Sequence, residues 1–100
     1  MASCRRNRST GDFVPVEPLD ELLDQEPTII KMALEGAELA ALKGARRLIA
    51  ESRPKLCVCA YHRPEDILTL TACVGGARDD YRIGLRHHGE HRWDTCLYFY

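Results

Sequence analysis

Histidine 62 has the best position for chemistry in this sequence of 100 residues. It directly follows the apolar run Lys55–Tyr61, which is typical of a buried β-strand. Active-site groups of α/β proteins collect beyond the carboxyl ends of strands, so His62 is a candidate general base or substrate contact. The alternative is a hydrogen-bonded loop histidine without a chemical role. His87 and His88 follow another predicted strand and are weaker candidates for the same reason.

Two cysteines near this histidine suggest a metal site as another kind of chemistry. Cys57 and Cys59 precede His62, and further ligand types occur later in the chain, at His87, His88, His91 and Cys96. Structural zinc sites usually place their cysteines on a turn, whereas cysteines two apart on a strand share one face and often fill the core. We therefore expect no metal, and a small zinc-binding module is a remote alternative.

The composition argues against several classes of partner. The chain has 14 basic and 15 acidic residues, a net charge of -1, which gives no electrostatic footprint for nucleic acid or an anionic membrane. Its apolar runs are shorter than the roughly 20 residues of a membrane-spanning helix. Five scattered cysteines fit reduced thiols better than a disulfide framework, so we expect a cytoplasmic protein.

The first residues are expected to lack regular structure. Residues 1–12 include Arg5, Arg6 and Arg8 and little apolar sequence, which predicts a disordered basic tail. A small phosphate-binding arm is the alternative. Residues 13–100 are expected to form one partial domain.

Four strands are predicted after this tail. Thr28–Leu34 and Lys55–Tyr61 are nearly continuous apolar runs, of the kind buried on both faces of a parallel sheet. Tyr81–Leu85 alternates between apolar and other residues, which favours a strand with one less apolar face. Thr95–Tyr100 forms the last strand.

Three helices are predicted, one before the first of these strands and two between strands. A short helix follows Pro18, and Glu35–Ser52 has leucines and alanines at helical spacing with acids first and arginines last. A third helix begins near Pro64–Asp66 and should end at Gly75-Gly76.

The order of elements predicts an α/β fold with a mostly parallel sheet. Strands joined through helices should be parallel with right-handed crossovers. The loop before the last strand is too short for a crossover, so that strand should be antiparallel.

Several segments, in order, resemble the FkbM family of S-adenosylmethionine-dependent methyltransferases. The matching segments are Leu19-Asp20-Glu21-Leu22-Leu23, Ile30–Glu38 (IKMALEGAE), Leu42-Lys43-Gly44-Ala45, Tyr61–Ile67 (YHRPEDI), Leu85-Arg86-His87-His88 and Trp93–Tyr98 (WDTCLY). The resemblance covers about residues 13 to 100. It implies the C-terminal half of a Rossmann-like class I methyltransferase fold, with its last antiparallel strand inserted into the sheet.

The same resemblance implies transfer of a methyl group from S-adenosylmethionine to a hydroxyl of a sugar or natural product. In this fold the cofactor lies against a glycine-rich turn after the first strand and an acid after the second. Nothing before Phe13 supplies these elements, so no cofactor-binding residue is assigned, and we expect the chain to be inactive alone.

The resemblance also indicates the acceptor side of the site. Ala33 stands where the family motif has an aspartate, which makes Glu35 the nearest candidate acid and His62 its candidate partner. Glu38 is one helical turn further on. The alternative for both glutamates is a structural role at the start of the helix.

A non-catalytic function is the main alternative. Without a neighbouring strand, the edge of Thr28–Ala33 would present unpaired backbone groups to another polypeptide. We therefore consider a fragment that acts by edge-strand association, including self-association.

Overall fold

The computed structural model describes residues 3–6, 13–89 and 95–100, with side chains from residue 17 onward in these ranges. Its first elements are strands β1 (Ser3–Arg6) and β2 (Phe13–Val16), which pair antiparallel. Four residues of the predicted disordered tail therefore lie in a strand, because β2 offers them a hydrogen-bonding partner.

The main sheet has four strands: β3 (Ile29–Met32), β4 (Lys55–Cys59), β5 (Ile83–His87) and β6 (Thr95–Phe99). Their spatial order is β3-β4-β6-β5. β3 and β4 are parallel, whereas β6 is antiparallel to both β4 and β5. Three strands thus share one direction and the last strand is inserted between two of them, which confirms the predicted fold class.

Four helices accompany this sheet: α1 (Leu19–Leu22), α2 (Glu38–Gly44), α3 (Arg46–Ser52) and α4 (Asp66–Ala77). The core combines buried residues of α2, α3 and α4 with one face of the sheet, namely Met32, Leu42, Ala45, Ile49, Leu56, Val58, Ala60, Leu70, Val74, Leu97 and Phe99. None of the helices in the described ranges is long and apolar enough to cross a membrane.

The two faces of the sheet differ in burial. Leu56 and Val58 are buried in the core, whereas Cys57 and Cys59, which alternate with them along β4, are only half-buried on the opposite face. The prediction that Thr28–Leu34 and Lys55–Tyr61 are buried on both faces is therefore wrong for the described part of the chain. The helices pack against one face, and only Met32 of β3 is buried.

The prediction of one helix over Glu35–Ser52 is also wrong. Glu35 and Gly36 have φ values of 56° and 101°, and α2 begins only at Glu38. The helix is then interrupted at Ala45. The Asp20 carboxylate accepts hydrogen bonds from the Arg47 and Leu48 N–H groups at 2.8 and 2.9 Å, so α3 is capped from a distant segment.

The interruption at Ala45 brings the chain close to the segment before α1. A Cβ atom on Gly44 would lie 3.1 Å from Cβ of Pro18. The glycine that costs helix stability therefore allows Pro18 and Asp20 to approach the junction of α2 and α3.

The predicted end of the third helix at Gly75-Gly76 is wrong as well, since α4 continues to Ala77. The Arg46 guanidinium donates a hydrogen bond to the Gly76 carbonyl at 2.8 Å, which holds this last turn. An isolated glycine costs a helix about 1 kcal/mol relative to alanine, and packing can offset that cost.

We expect Gly75→Ala to raise the free energy of unfolding by about 0.5–1 kcal/mol, because alanine limits the unfolded backbone. A Cβ atom at Gly75 would meet no heavy atom of the described residues within 4 Å, apart from its chain neighbours and the backbone of its own helix. Urea unfolding checks this expectation, and Gly44→Ala, which meets Pro18, serves as the control with the opposite sign.

An ionic cluster joins the ends of α3 and α4 near the C-terminus. Arg78 Nε lies 2.6 Å from Asp80 Oδ1, and Arg53 Nε lies 3.2 Å from Asp80 Oδ2. The Arg53 guanidinium also lies 5.0 Å from the centre of the Tyr81 ring. The hydrogen bond from Arg78, followed by its charge, lowers the pKa of Asp80 to about 2.

This cluster predicts a specific pH dependence. Because the pKa of Asp80 is lower in the folded chain than its ordinary 3.8, its contribution to stability is present above pH 3.8 and is lost as the pH falls towards 2. NMR titration should place the Asp80 carboxyl near pH 2. Arg78→Ala should move this midpoint up towards 3.8, and an unchanged midpoint would contradict the assignment to Arg78.

Candidate functional site

The loop between β3 and α2, residues 33–37, forms one wall of a candidate site. Its left-handed turn at Glu35 and Gly36 leaves the Glu35 side chain exposed. A glycine is required at position 36 for two reasons. Its φ is 101°, and a Cβ atom there would lie 3.1 Å from Cδ2 of His62. The glycine therefore lets the His62 ring pack directly on this loop.

The buried Glu38 holds this loop in place. Its side chain is only 2% exposed, and its two carboxylate oxygens accept hydrogen bonds from the N–H groups of Leu34 and Gly36. Both oxygens are thus engaged with the backbone before the helix. The structural role considered for Glu38 is the one that the contacts support.

The loop between β4 and α4, residues 60–65, forms the opposite wall and has its own buried carboxylate. Asp66 is 5% exposed, its Oδ2 accepts a hydrogen bond from the Arg63 N–H at 3.1 Å, and its own N–H donates to the Arg63 carbonyl. Sequence reasoning gave Asp66 no part in the site. The only signal was an acid in the first turn of a helix that follows His62.

These two loops enclose a small pocket at the carboxyl ends of β3 and β4. This strand-end pocket has a volume of about 280 Å³ and is lined by Glu35, Gly36, Ala37, His62 and Arg63. The structure therefore brings together the two predicted site residues, Glu35 and His62. Ala33 follows β3 and carries no carboxylate, as the sequence requires.

A phenol lies beside this pocket. The Tyr61 and His62 rings have centroids 5.3 Å apart. Burial raises the pKa of Tyr61, and the neighbouring Cys59 and Glu35 raise it further. The Tyr61 hydroxyl therefore stays protonated at neutral pH.

The other histidines of the described chain lie elsewhere. His87 Nδ1 is 2.8 Å from Thr95 Oγ1, and His88 Nε2 is 2.6 Å from the Tyr98 hydroxyl. Both histidines link β5 and its following residue to β6, and neither lines the strand-end pocket. Over residues 17–89 and 95–100, no three His, Cys, Asp or Glu side chains are grouped as metal ligands, and His91 lies outside these ranges.

A second, larger cavity lies along the free edge of β3. This edge groove has a volume of about 750 Å³ and lies between β3 and the helices α1 and α2. Most of its described lining residues are apolar, and only Glu17 and Lys31 among them are charged. In the described sheet β3 pairs with β4 alone, and Ile29 on this edge is 68% exposed.

The chemistry available at the two cavities differs. Residues that carry a carboxylate, an imidazole and a guanidinium line the strand-end pocket, which suits a small ligand rich in hydroxyl groups. The edge groove instead combines apolar side chains with a strand edge that has no partner in the described sheet, which suits another polypeptide strand.

Comparisons with known proteins identify a related family and a related fold. The protein-family model that describes the methyltransferase FkbM domain matches residues 3–98. A crystal structure of methyltransferase FkbM from Methylobacillus flagellatus KT is 55% identical in sequence and superposes with a TM-score of 0.86. The similarity covers 97% of this chain and 25% of the solved chain, so these residues span about a quarter of that protein. The comparison with curated proteins gave no match.

Proposed function

The chain belongs to the FkbM methyltransferase family, and from this membership we propose that it forms the acceptor side of an S-adenosylmethionine-dependent O-methyltransferase site. The observation that carries the proposal is the strand-end pocket, which both Glu35 and His62 line. The proposed acceptor is a hydroxyl group of a sugar or natural product, and the proposed location is the cytoplasm.

Three of the five residues that line the pocket have a chemical role in this proposal. Glu35 accepts a hydrogen bond from an acceptor hydroxyl and orients it. His62 takes the proton of the reacting hydroxyl, which makes the oxygen a better nucleophile. Arg63 donates hydrogen bonds to further oxygens of the acceptor. Glu38 and Asp66 hold the two loops in place through hydrogen bonds to the backbone, and they do not contact the acceptor.

The described residues do not fit the cofactor as a whole. S-adenosylmethionine carries an amino acid group and a ribose diol, which need polar partners. The edge groove is the larger of the two cavities, and its described lining has only two charged residues among otherwise apolar ones. We therefore assign no cofactor contact to this chain, and we propose that it does not transfer methyl groups alone.

The edge groove is the proposed surface for the polypeptide that completes the site. Its proposed occupant is an apolar β-strand from the remaining part of an FkbM domain, since the solved relative has about four times the matched length. The exposed Ile29 and the unpaired edge of β3 support strand addition there. Association without catalysis, including pairing of two copies through β3, is the second candidate function.

Complementation tests both parts of the proposal. The chain is mixed with the part of the M. flagellatus methyltransferase outside the matched region, and transfer of a labelled methyl group to a panel of sugars and polyols is measured. We expect transfer by the mixture and none by the chain alone. Calorimetry with S-adenosylhomocysteine should show the same pattern.

An edge variant tests whether methyl transfer depends on association. Ile29→Lys places a charge on the groove, so it should abolish complex formation in size-exclusion chromatography as well as transfer. A stable complex without transfer to any acceptor would contradict the methyltransferase proposal and favour the non-catalytic alternative. Turnover by the isolated chain would contradict its proposed dependence on a partner.

A further inference from the structure

Three thiols and a phenol share the open face of β4 and β6. Cys57 and Cys59 lie two residues apart on β4, and the residues opposite them on β6 are Tyr98 and Cys96. The sulfur atoms of Cys59 and Cys96 are 4.0 Å apart, and both side chains are half-buried. A small thiol reagent can therefore reach this pair from the face that the helices leave open.

The backbone places Cys59 and Cys96 at the closer type of cross-strand pair. The Ala60 N–H donates a hydrogen bond to the Thr95 carbonyl at 3.0 Å, so the pair next to the cysteines is a hydrogen-bonded one. Pairs alternate along an antiparallel ladder, which makes Cys59 and Cys96 a non-hydrogen-bonded pair with Cα atoms about 4.5 Å apart. That separation lies within the range of about 4.4–6.8 Å found for disulfides.

The same geometry disfavours the other thiol of β4. Cys57 faces Tyr98 directly, so it reaches Cys96 only along the diagonal, where Cα atoms are about 7–8 Å apart. A disulfide at that separation would require the backbone to move. The register therefore selects Cys59 as the partner of Cys96.

We propose that Cys59 and Cys96 form a reversible disulfide by exchange with an oxidised small-molecule disulfide, such as glutathione disulfide. The thiolate of one cysteine attacks the reagent, forms a mixed disulfide and releases one glutathione thiol. The second cysteine then attacks the mixed disulfide and releases the second glutathione thiol. The protein loses two electrons and two protons, and the reagent is reduced by the same amount.

The position of this pair connects it to the strand-end pocket. Cys59 is two residues before Tyr61 and three before His62, so the disulfide would tie the strand that enters the pocket loop to β6. Burial raises the pKa of Tyr61, and the neighbouring Cys59 and Glu35 raise it further. Oxidation of Cys59 and Cys96 should therefore change the mobility of the loop that carries His62.

Thiol titration and peptide mapping test the proposal on the chain as it exists. Glutathione disulfide should reduce the free thiols from five to three and lower the mass by about 2 Da. Trypsin digestion should link the peptide that contains Cys59 to the one that contains Cys96. Dithiothreitol should restore all five thiols.

Single variants identify the partners. Cys59→Ser and Cys96→Ser should each abolish the link, whereas Cys57→Ser and Cys73→Ser should leave it unchanged. Circular dichroism checks that each variant folds. A link through Cys57, an unchanged count of five thiols, or glutathione adducts without an internal link would overturn the proposal.

Discussion

Glu38→Ala is expected to lower the free energy of unfolding by about 3 kcal/mol, because it leaves two backbone N–H groups without their charged acceptor. These are the N–H groups of Leu34 and Gly36, in the loop that carries Glu35. The side chain is 2% exposed, so water replaces the lost hydrogen bonds poorly. Urea unfolding, followed by circular dichroism, measures the difference.

Two further variants separate the hydrogen bonds of Glu38 from its volume. Glu38→Gln keeps one acceptor oxygen in nearly the same shape and should lose about half as much stability. Glu35→Ala changes an exposed carboxylate three residues away and should stay within about 0.5 kcal/mol of the parent chain. Equal stabilities of Glu38→Ala and Glu35→Ala would show that the loop does not depend on the Glu38 carboxylate.

The strands and the family were predictable because their signals are local. The apolar runs around Ile30 and Val58 and the alternation at Ile83 and Leu85 each depend on neighbouring residues. The short connection before β6 required an antiparallel last strand, and the structure confirms its insertion between β4 and β5. The FkbM resemblance likewise rested on short motifs, and the family match confirms it.

The helix boundaries were not predictable because distant residues set them. The interruption at Ala45 depends on Asp20, which caps the N–H groups of Arg47 and Leu48 from another element. The late start of α2 depends on a carboxylate that folds back onto the preceding loop. Helical periodicity continues through both places, so the sequence pattern alone favours one helix.

The sequence predicted two residues that line the candidate pocket, but it did not predict the buried carboxylates that hold the pocket loops in place. The rule that active-site groups follow strand ends selected His62, the motif selected Glu35, and both line one pocket. Their chemical roles remain predictions. Asp66 resembled an ordinary helix-starting acid, and its contact with the Arg63 backbone appears only when the loop is closed.

His62→Ala is expected to lower kcat/KM for methyl transfer by roughly 10²–10⁴-fold, the usual contribution of a positioned general base. The loss should appear in kcat, because proton removal belongs to the reacting step and not to acceptor binding. The assay is the labelled-methyl transfer by the complemented protein described above. Glu35→Gln should instead raise KM most, since its proposed role is to orient the acceptor hydroxyl.

Matched controls come from the same chain. His88→Ala removes an exposed histidine that bonds to Tyr98 outside the pocket, and Glu51→Gln removes an exposed charge on α3. Both should leave kcat and KM within about twofold of the parent, since neither touches the acceptor. If His62→Ala loses no more rate than His88→Ala, the proton is taken by another group, and Glu35, the carboxylate that lines the same pocket, becomes the next residue to test.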